Sequence, residues 1–314
     1  MRLKRSQISA PGYDLGRIER AAFSGADMIM LDLEDNVIPP LKAKARATVA
    51  EVLDSFDFRG MVKCVKINGW ESGMTVLDLE AVLPARPDEI KLSKCENPDD
   101  IRRLDAVISE FERTNGIVPG TVEINAQIES PLGIRNAFEI LSASRRVTTA
   151  SFGHEDLASA LGVWRDYAPG SDQAVYMMGK LALDAAAAGV WQVNGTAIVA
   201  APGDFQGEPA YIRSDTANLR SMGFTGRGAV YPEHVAIINE IFTPDPGDVA
   251  LSHEIVECWN RGMETGDPAL FVLKNGLPID PGRLERAKRT IAFGDAYRDL
   301  MRRRGCRDGI GEKG

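Results

Sequence analysis

The feature that most constrains the fold is a repeated alternation of short apolar runs with amphipathic stretches. MIMLDL at 28–33 is typical of a buried strand, and 99–115 repeats apolar residues at helical spacing. The predicted strands are 7–10, 28–33, 61–67, 89–92, 121–128, 147–152, 189–193 and 228–231. The predicted helices of this region include 14–24, 41–53, 99–115 and 176–188. Eight strand–helix repeats predict an α/β fold, the (β/α)₈ TIM barrel.

A doubly wound open sheet is the alternative α/β architecture. Its nucleotide-binding forms carry GxGxxG after the first strand or GxxxxGK[ST] before a helix. The chain has neither pattern at those places, and this favours the barrel.

The barrel is predicted to be followed by a C-terminal extension. Proline and glycine at 244–247 follow the last strand–helix unit, and helical patterns then cover 249–265 and 282–304. We therefore expect a catalytic domain at 1–247 and a helical lid or oligomerisation extension at 248–314.

Composition excludes several classes of function. The net charge is −8, from 37 basic and 45 acidic residues, which argues against nonspecific nucleic-acid binding. The four cysteines, of which Cys306 is the last, form no CxxC pair, so we expect reduced thiols in a cytoplasmic protein. No apolar run approaches the ~20 residues of a membrane helix, and no membrane partner is expected.

Carboxylates collect where several predicted strands end. Asp32-Leu33-Glu34-Asp35 ends the second strand, Glu129 ends the fifth, and Asp156 follows the sixth. Catalytic groups of barrels lie at these carboxyl ends, and clustered like charges need a counter-charge. Mg²⁺ meets that need with one or two carboxylates, so Glu129 and Asp156 are the natural pair of metal ligands.

Each of these residues also has a plain alternative. Acidic residues after strands commonly cap helices. Asp35 could pair with Lys42 or Arg46, and His154 could be a ligand, a base or polar filling.

The ordered set of motifs resembles the HpcH/HpaI aldolase–citrate lyase family, in its branch similar to the citrate lyase β subunit and malyl-CoA lyases. The matching pieces are Arg5-Ser6 with Pro11-Gly12, MIMLDLEDNV with Lys42 and Ala45-Arg46, KIN at 66–68, KLSKCENPDD at 91–100, QIESPLGIRNA at 127–137, FGHEDLASALG at 152–162 and GFTGRGAVYPEHVAIIN at 223–239. They occur in family order over most of the chain.

The resemblance implies a Mg²⁺-dependent carbon–carbon lyase. It would cleave or form a 3-hydroxyacyl-CoA thioester, such as malyl-CoA or citramalyl-CoA, with an acyl-CoA such as acetyl-CoA and a 2-oxo acid as the other reactants. Glu129 and Asp156 fall on the metal-ligand positions, and Glu34 and Asp35 fall on catalytic positions near the metal.

Two basic positions complete the expected site. Arg5 falls on a substrate-binding position, and Lys66 falls on a position with a substrate-binding and catalytic role. The family normally has arginine where this chain has Lys66, and the two are not interchangeable at a bidentate carboxylate site. Two further departures, Tyr231-Pro232 for His-Pro and 193–195 for an acidic loop after the seventh strand, also suggest an altered substrate.

The extension carries one more expected catalytic group. LKNGLPIDPGRLERA at 273–287 resembles the tail of malyl- and citramalyl-CoA lyases, in which a lid brings an aspartate into the neighbouring subunit's site. Asp280 matches that aspartate, and the family implies a homotrimer or homohexamer. The alternative is that Asp280 only begins a helix.

Three other activities remain open within the same barrel. The chain could be a citrate lyase β-type subunit acting on an acyl-carrier thioester, or a malyl-CoA thioesterase. A CoA-free 2-oxo acid aldolase is disfavoured, because that branch relies on a histidine in its first loop and no histidine precedes His154.

Overall fold

The computed structural model describes residues 2–165, 173–198, 200–201, 203–204 and 207–305; Cys306 lies outside the described residues. It contains a closed barrel in which each strand is paired with its sequence neighbour and the last strand with the first. The strands are β1 Ser6–Pro11, β2 Met28–Asp32, β3 Val62–Ile67, β4 Glu89–Leu92, β5 Glu123–Ile128, β6 Val147–Phe152, β7 Gln192–Ile198 and β8 Gly226–Ala229. All eight pairings are parallel. The predicted (β/α)₈ barrel is confirmed.

Helices connect the strands and cover the barrel. They are α1 Leu15–Ala22, α2 Lys42–Ser55, α3 Thr75–Val82, α4 Pro98–Thr114, α5 Pro131–Arg135, α6 Ala137–Leu141, α7 His154–Ala160, α8 Val175–Ala187, α9 Pro209–Ser221 and α10 Val235–Phe242. Helix α4 illustrates how the local sequence fixes a helix. Asn97 and Asp100 form a capping box, and Ile101, Leu104 and Ile108 bury its apolar face.

The seventh and eighth strands differ from the prediction. Strand β7 begins at Gln192 rather than 189, because Gly189 has a φ of 75° and the amide of Val190 donates to Ala185 O, closing the end of α8. Residues 193–195 therefore belong to β7 and not to a loop. Strand β8 contains two glycines, which weaken any strand signal, and a Cβ on Gly228 would lie 2.8 Å from the Cβ of Ala197.

The chain divides into two compact units. One is Lys4–Phe242, and the other begins at Thr243 and includes Leu3. The second unit contains α11 Pro246–Thr265 and α12 Pro281–Arg303, so the predicted boundary at 247 falls in the first turn of α11. Ile255 of α11, Ala287 of α12 and Ile279 form its buried cluster together with Leu273. None of the helices in the described ranges is long and apolar enough to span a membrane.

Candidate active site

The segment after β2 is held by its own first carboxylate. Asp32 accepts the backbone amide of Glu34 at 2.7 Å through Oδ1 and the side-chain amide of Asn36 at 2.5 Å through Oδ2. Asp32 is buried, and its two hydrogen bonds fix the turn that follows β2. This turn places Glu34 and Asp35 beyond the end of the strand.

Lys42 fixes the same segment from α2. Its Nζ donates to the carbonyls of Leu33 and Glu34 at 2.7 and 2.8 Å, and to Asn68 Oδ1 at 2.8 Å. Arg46 donates instead to the buried Asp78, at 2.7 Å. Neither cation therefore forms the pairing with Asp35 that the sequence left open.

Glu34 lies between two lysines from neighbouring strands. Lys66 Nζ of β3 is 2.6 Å from Glu34 Oε2, and Lys94 Nζ, just beyond β4, is 2.9 Å from Oε1. Burial raises the pKa of Glu34, but the charge of Lys66 and the hydrogen bonds of both lysines outweigh it and lower that pKa to about 2. Glu34 is therefore ionised at neutral pH.

Asp35 has the opposite electrostatic environment. Burial, the hydrogen bond with Glu34 and the charge of Glu34 raise the pKa of Asp35 to about 6. Its side chain is 51% exposed, with Oδ1 3.4 Å from Lys94 Nζ and Oδ2 4.0 Å from Lys66 Nζ. A half-exposed carboxylate with a pKa near neutral can both accept and return a proton.

Glu129, directly after β5, is buried at the same rim. Its Oε1 accepts the backbone amide of Lys94 and its Oε2 accepts the side-chain amide of Gln127, each at 2.9 Å. A Cβ on Gly153, at the end of β6, would lie 2.5 Å from Glu129 Cβ and from Oε2. Glycine at 153 is therefore what allows Glu129 to lie across the end of β6.

Burial dominates the electrostatics of Glu129. Burial is the largest effect and raises the pKa of Glu129. The charge of Lys66 lowers this pKa and the charge of Asp156 raises it, and the resulting pKa is about 7. Asp156 lies in the first turn of α7. In the described part of the chain neither Glu129 nor Asp156 forms an ion pair within 4.0 Å with a basic side chain.

This donor set fits a hard divalent cation that keeps most of its water. Across the described ranges, no group of three or more His, Cys, Asp or Glu side chains is placed to hold a metal by itself. Mg²⁺ needs fewer protein ligands, because it usually binds one or two carboxylates and keeps waters or substrate oxygens. A buried carboxylate with a raised pKa and a second acidic side chain beside it are suitable partners for such an ion.

The acidic residues line a single cavity of ≈ 570 Å³. Its walls include Glu34, Asp35, Lys94, Glu129 and Asp156, together with Asn68 and Trp70. The structure thus brings together four predicted site carboxylates, with Lys66 bonded to one of them. Lys94 was not among the predicted site residues, although its position after β4 places it at the same edge as the other candidate residues.

Arg5 lies at the opposite end of the barrel. It immediately precedes β1, and its guanidinium donates to Asp27, which precedes β2, at 2.8 and 2.9 Å. Both side chains are buried. We therefore correct the expected substrate-binding role of Arg5 to a structural one, because the amino ends of the strands face away from the cavity.

Asp280, His154 and Tyr231 are the remaining residues that the sequence singled out. Asp280 caps α12: its Oδ1 accepts the amide of Arg283 at 2.7 Å and its Oδ2 accepts that residue's guanidinium at 3.1 Å. Its side chain is exposed within this single chain. His154 is buried, with Nε2 3.2 Å from Gln173 Oε1, and Tyr231 packs against His234.

The closed barrel and the acidic and basic groups at its carboxyl-end rim define a (β/α)₈-barrel enzyme. The chain belongs to the HpcH/HpaI aldolase/citrate lyase family, whose model matches residues 5–232. The family resemblance carried by the sequence motifs is thereby confirmed.

Two relatives match nearly the whole chain. Citrate lyase subunit beta of Haemophilus influenzae is 29% identical over 288 residues, covering 92% of this chain and 96% of that protein. The L-malyl-CoA/beta-methylmalyl-CoA lyase of Cereibacter sphaeroides is 29% identical over 300 residues, covering 91% and 93%.

Solved structures share the fold. CitE of Mycobacterium tuberculosis, crystallised with magnesium, acetoacetate and coenzyme A, superposes with a TM-score of 0.69 at 20% identity, covering 92% of this chain and 97% of that one. RipC of Yersinia pestis superposes with a TM-score of 0.62 at 21% identity, covering 78% and 98%. Both likenesses concern the fold.

Proposed function

We propose that this protein is a Mg²⁺-dependent carbon–carbon lyase for a 3-hydroxyacyl-CoA thioester of the malyl-CoA or citramalyl-CoA type. It would release, or in reverse condense, an acyl-CoA and a 2-oxo acid. The observation that carries the proposal is that Glu129 and Asp156 line one cavity with Asp35 and the lysine-held Glu34. Family membership and relatives named as citrate lyase beta and malyl-CoA lyase support it.

Glu129 and Asp156 are the residues that would hold the metal. When bound there, Mg²⁺ would supply positive charge to the substrate oxygen that becomes the carbonyl and to the neighbouring carboxylate.

The chain's own groups account for the movement of the proton. Cleavage requires a base to take the hydroxyl proton, and Asp35 has the exposure and the pKa of about 6 that suit it. Glu34 is a poor base, because both of its oxygens bind lysines and its pKa is about 2. Its role is to position Lys66, whose ammonium would stabilise the developing negative charge on the substrate.

The thioester enolate left after cleavage must then be protonated. Asp280 is the proposed donor, acting in the site of a neighbouring copy within a homotrimer or homohexamer. This assignment rests on the family resemblance of residues 273–287. A variant can separate the proposed proton-donor role of Asp280 from its role as the cap of α12. Asn caps a helix about as well as Asp, so Asp280→Asn keeps the cap while removing the acid.

Mixed oligomers test whether Asp280 acts in a neighbouring subunit. Asp280→Asn and Glu129→Gln are each expected to be inactive alone, and subunits of the two variants are mixed under conditions that allow exchange. Return of activity in the mixture supports a site shared between subunits. A light-scattering mass of a monomer in the active enzyme would contradict it.

The reaction itself is tested by mass spectrometry in the condensation direction. Purified protein with Mg²⁺ is incubated with acetyl-CoA or propionyl-CoA and with glyoxylate, pyruvate or oxaloacetate. A new hydroxyacyl-CoA is expected with at least one pair, and it should disappear in Glu129→Gln and Asp156→Asn. Glu110→Gln on the exposed side of α4 is the matched control and should keep full activity.

Other results identify other activities. When malyl-CoA is supplied, release of free CoA and malate without a 2-oxo acid would indicate a thioesterase. No product with any CoA ester would contradict the proposal and favour an acyl-carrier thioester.

A further inference from the structure

Lys94 has an unusual backbone and two distinct sets of contacts. Its φ of 56° is in the left-handed region, which few residues other than glycine adopt. Its backbone amide donates to Glu129 Oε1, while its Nζ contacts Glu34 Oε1 and Asp35 Oδ1. One residue therefore joins the buried Glu129 after β5 to the acidic segment after β2.

Lys94 and Lys66 bracket one carboxylate. Lys94 Nζ is 2.9 Å from one oxygen of Glu34 and Lys66 Nζ is 2.6 Å from the other. The spacing of the two ammonium groups thus suits a carboxylate bound through both oxygens. An ammonium has three donors, so Lys66 and Lys94 can each bind a further acceptor while keeping the carboxylate contacts described above.

The two lysines differ in access to the cavity. The Lys66 side chain is 10% exposed, whereas that of Lys94 is 50% exposed and lines the cavity. Burial lowers the pKa of Lys94, but the hydrogen bond and charge of Glu34 outweigh it and raise that pKa above its usual value. Lys94 is therefore a charged, accessible group at the cavity wall.

We propose that Lys94 is a substrate-binding residue whose ammonium, together with that of Lys66, binds the carboxylate of the 2-oxo acid. This rests on the proposed lyase function, and it adds that the acid is held by two lysines from adjacent strands. An incoming carboxylate would share Lys94 with Glu34 and Asp35.

The competing explanation is that Lys94 has only a structural role. Because its backbone is left-handed, a glycine variant can separate this role from substrate binding. Lys94→Gly keeps the amide that supports Glu129 and relieves the left-handed conformation, but removes the ammonium. Lys94→Met removes the charge at similar length. Lys94→Arg keeps a cation, and Lys44→Met on the exposed face of α2 is the matched control.

Two measurements are made on each variant. Steady-state condensation gives KM for the 2-oxo acid and for the acyl-CoA separately, and calorimetry gives the affinity for pyruvate, glyoxylate and oxaloacetate with and without Mg²⁺. We expect Lys94→Gly and Lys94→Met to weaken 2-oxo acid binding roughly tenfold or more, because a charge-assisted hydrogen bond is lost. The acyl-CoA KM should stay within about twofold on the same argument, and Lys94→Arg should recover most of the loss.

Each result decides the inference. Unchanged 2-oxo acid affinity in Lys94→Gly and Lys94→Met would overturn it while leaving the lyase function intact. Equal losses for both substrates with a lowered Tm would assign Lys94 a structural role. Failure of the wild-type protein to bind or turn over any of the three acids would overturn both the function and the inference.

Discussion

Lys66 Nζ and Glu34 Oε2 are 2.6 Å apart and form an ion pair in which both side chains are nearly buried. The pair connects the end of β3 with the segment after β2, and Lys66 lies beside Asp32 in the sheet register. Removing Lys66 would leave the buried Glu34 with only the half-exposed Lys94, and removing Glu34 would leave Lys66 without its 2.6 Å partner. Loss of the pair is therefore expected to lower both the stability of the carboxyl-end rim and the activity of the candidate site.

Lys66→Met is predicted to lower both stability and activity. Glu34 would keep its ion pair with Lys94 but lose the more buried one with Lys66, which should cost about 1.5–3 kcal/mol in the free energy of unfolding, measured by urea denaturation. Lys66→Met combined with Glu34→Gln should regain most of that stability, because no charge remains unpaired, but should stay inactive. Recovery of activity in the double variant would show that neither side chain takes part in the reaction.

Gly153→Ala is predicted to damage the site through Glu129. The added Cβ would lie 2.5 Å from Glu129 Oε2, so the carboxylate must move, at a cost of about 1–3 kcal/mol. Turnover should fall at least as far as in Glu129→Gln. Gly179→Ala is the control, because a Cβ there meets nothing within 4 Å and should be neutral or stabilising by about 0.5–1 kcal/mol. Normal turnover in Gly153→Ala would count against the position given to Glu129.

Glu129→Gln is predicted to separate function from stability. Burial opposes ionisation of this carboxylate, so a neutral residue of the same shape should leave Tm in EDTA unchanged or higher. The same variant should lose the Mg²⁺-induced rise in Tm that the wild-type protein is expected to have. A rise of equal size in Glu129→Gln and Asp156→Asn would place the metal elsewhere.

Arg5→Met is predicted to lower stability while leaving substrate binding unchanged. Loss of its buried pair with Asp27 should cost about 3–5 kcal/mol of stability. The folded fraction should keep the wild-type KM for the 2-oxo acid at low temperature, because Arg5 lies at the far end of the barrel. A KM raised tenfold without loss of stability would restore the substrate-binding role.

The sequence predicts most of the barrel because its buried strands and amphipathic helices have strong periodic signals. Strand β4 occupies the predicted residues 89–92, and α4 begins one residue before its prediction. Strand β8 lacked such a signal, since Gly226 and Gly228 are required by close neighbours rather than by strand propensity. Its limits depend on tertiary packing that no local pattern encodes.

Candidate-site residues that directly follow strands were predictable from the sequence. A residue whose contacts depend on an unusual backbone conformation was not. Glu129 and Asp156 were predicted as metal ligands from their positions after β5 and β6; both line the cavity, and metal binding by them stays a prediction. Lys94 was missed because its left-handed backbone, which brings its amide to one carboxylate and its Nζ to two others, has no sequence pattern. Arg5 was misplaced although it precedes a predicted strand, a position that already indicates the amino-terminal end.

The most direct test of the proposed lyase activity is whether 2-oxo acid release from a 3-hydroxyacyl-CoA depends on Mg²⁺. Wild-type protein is stripped with EDTA, supplied with malyl-CoA or citramalyl-CoA, and followed by mass spectrometry before and after Mg²⁺ is added. We expect no cleavage in EDTA, and stoichiometric acetyl-CoA and 2-oxo acid once Mg²⁺ is restored. Equal cleavage with and without Mg²⁺, or CoA release with an intact hydroxy acid, would contradict it.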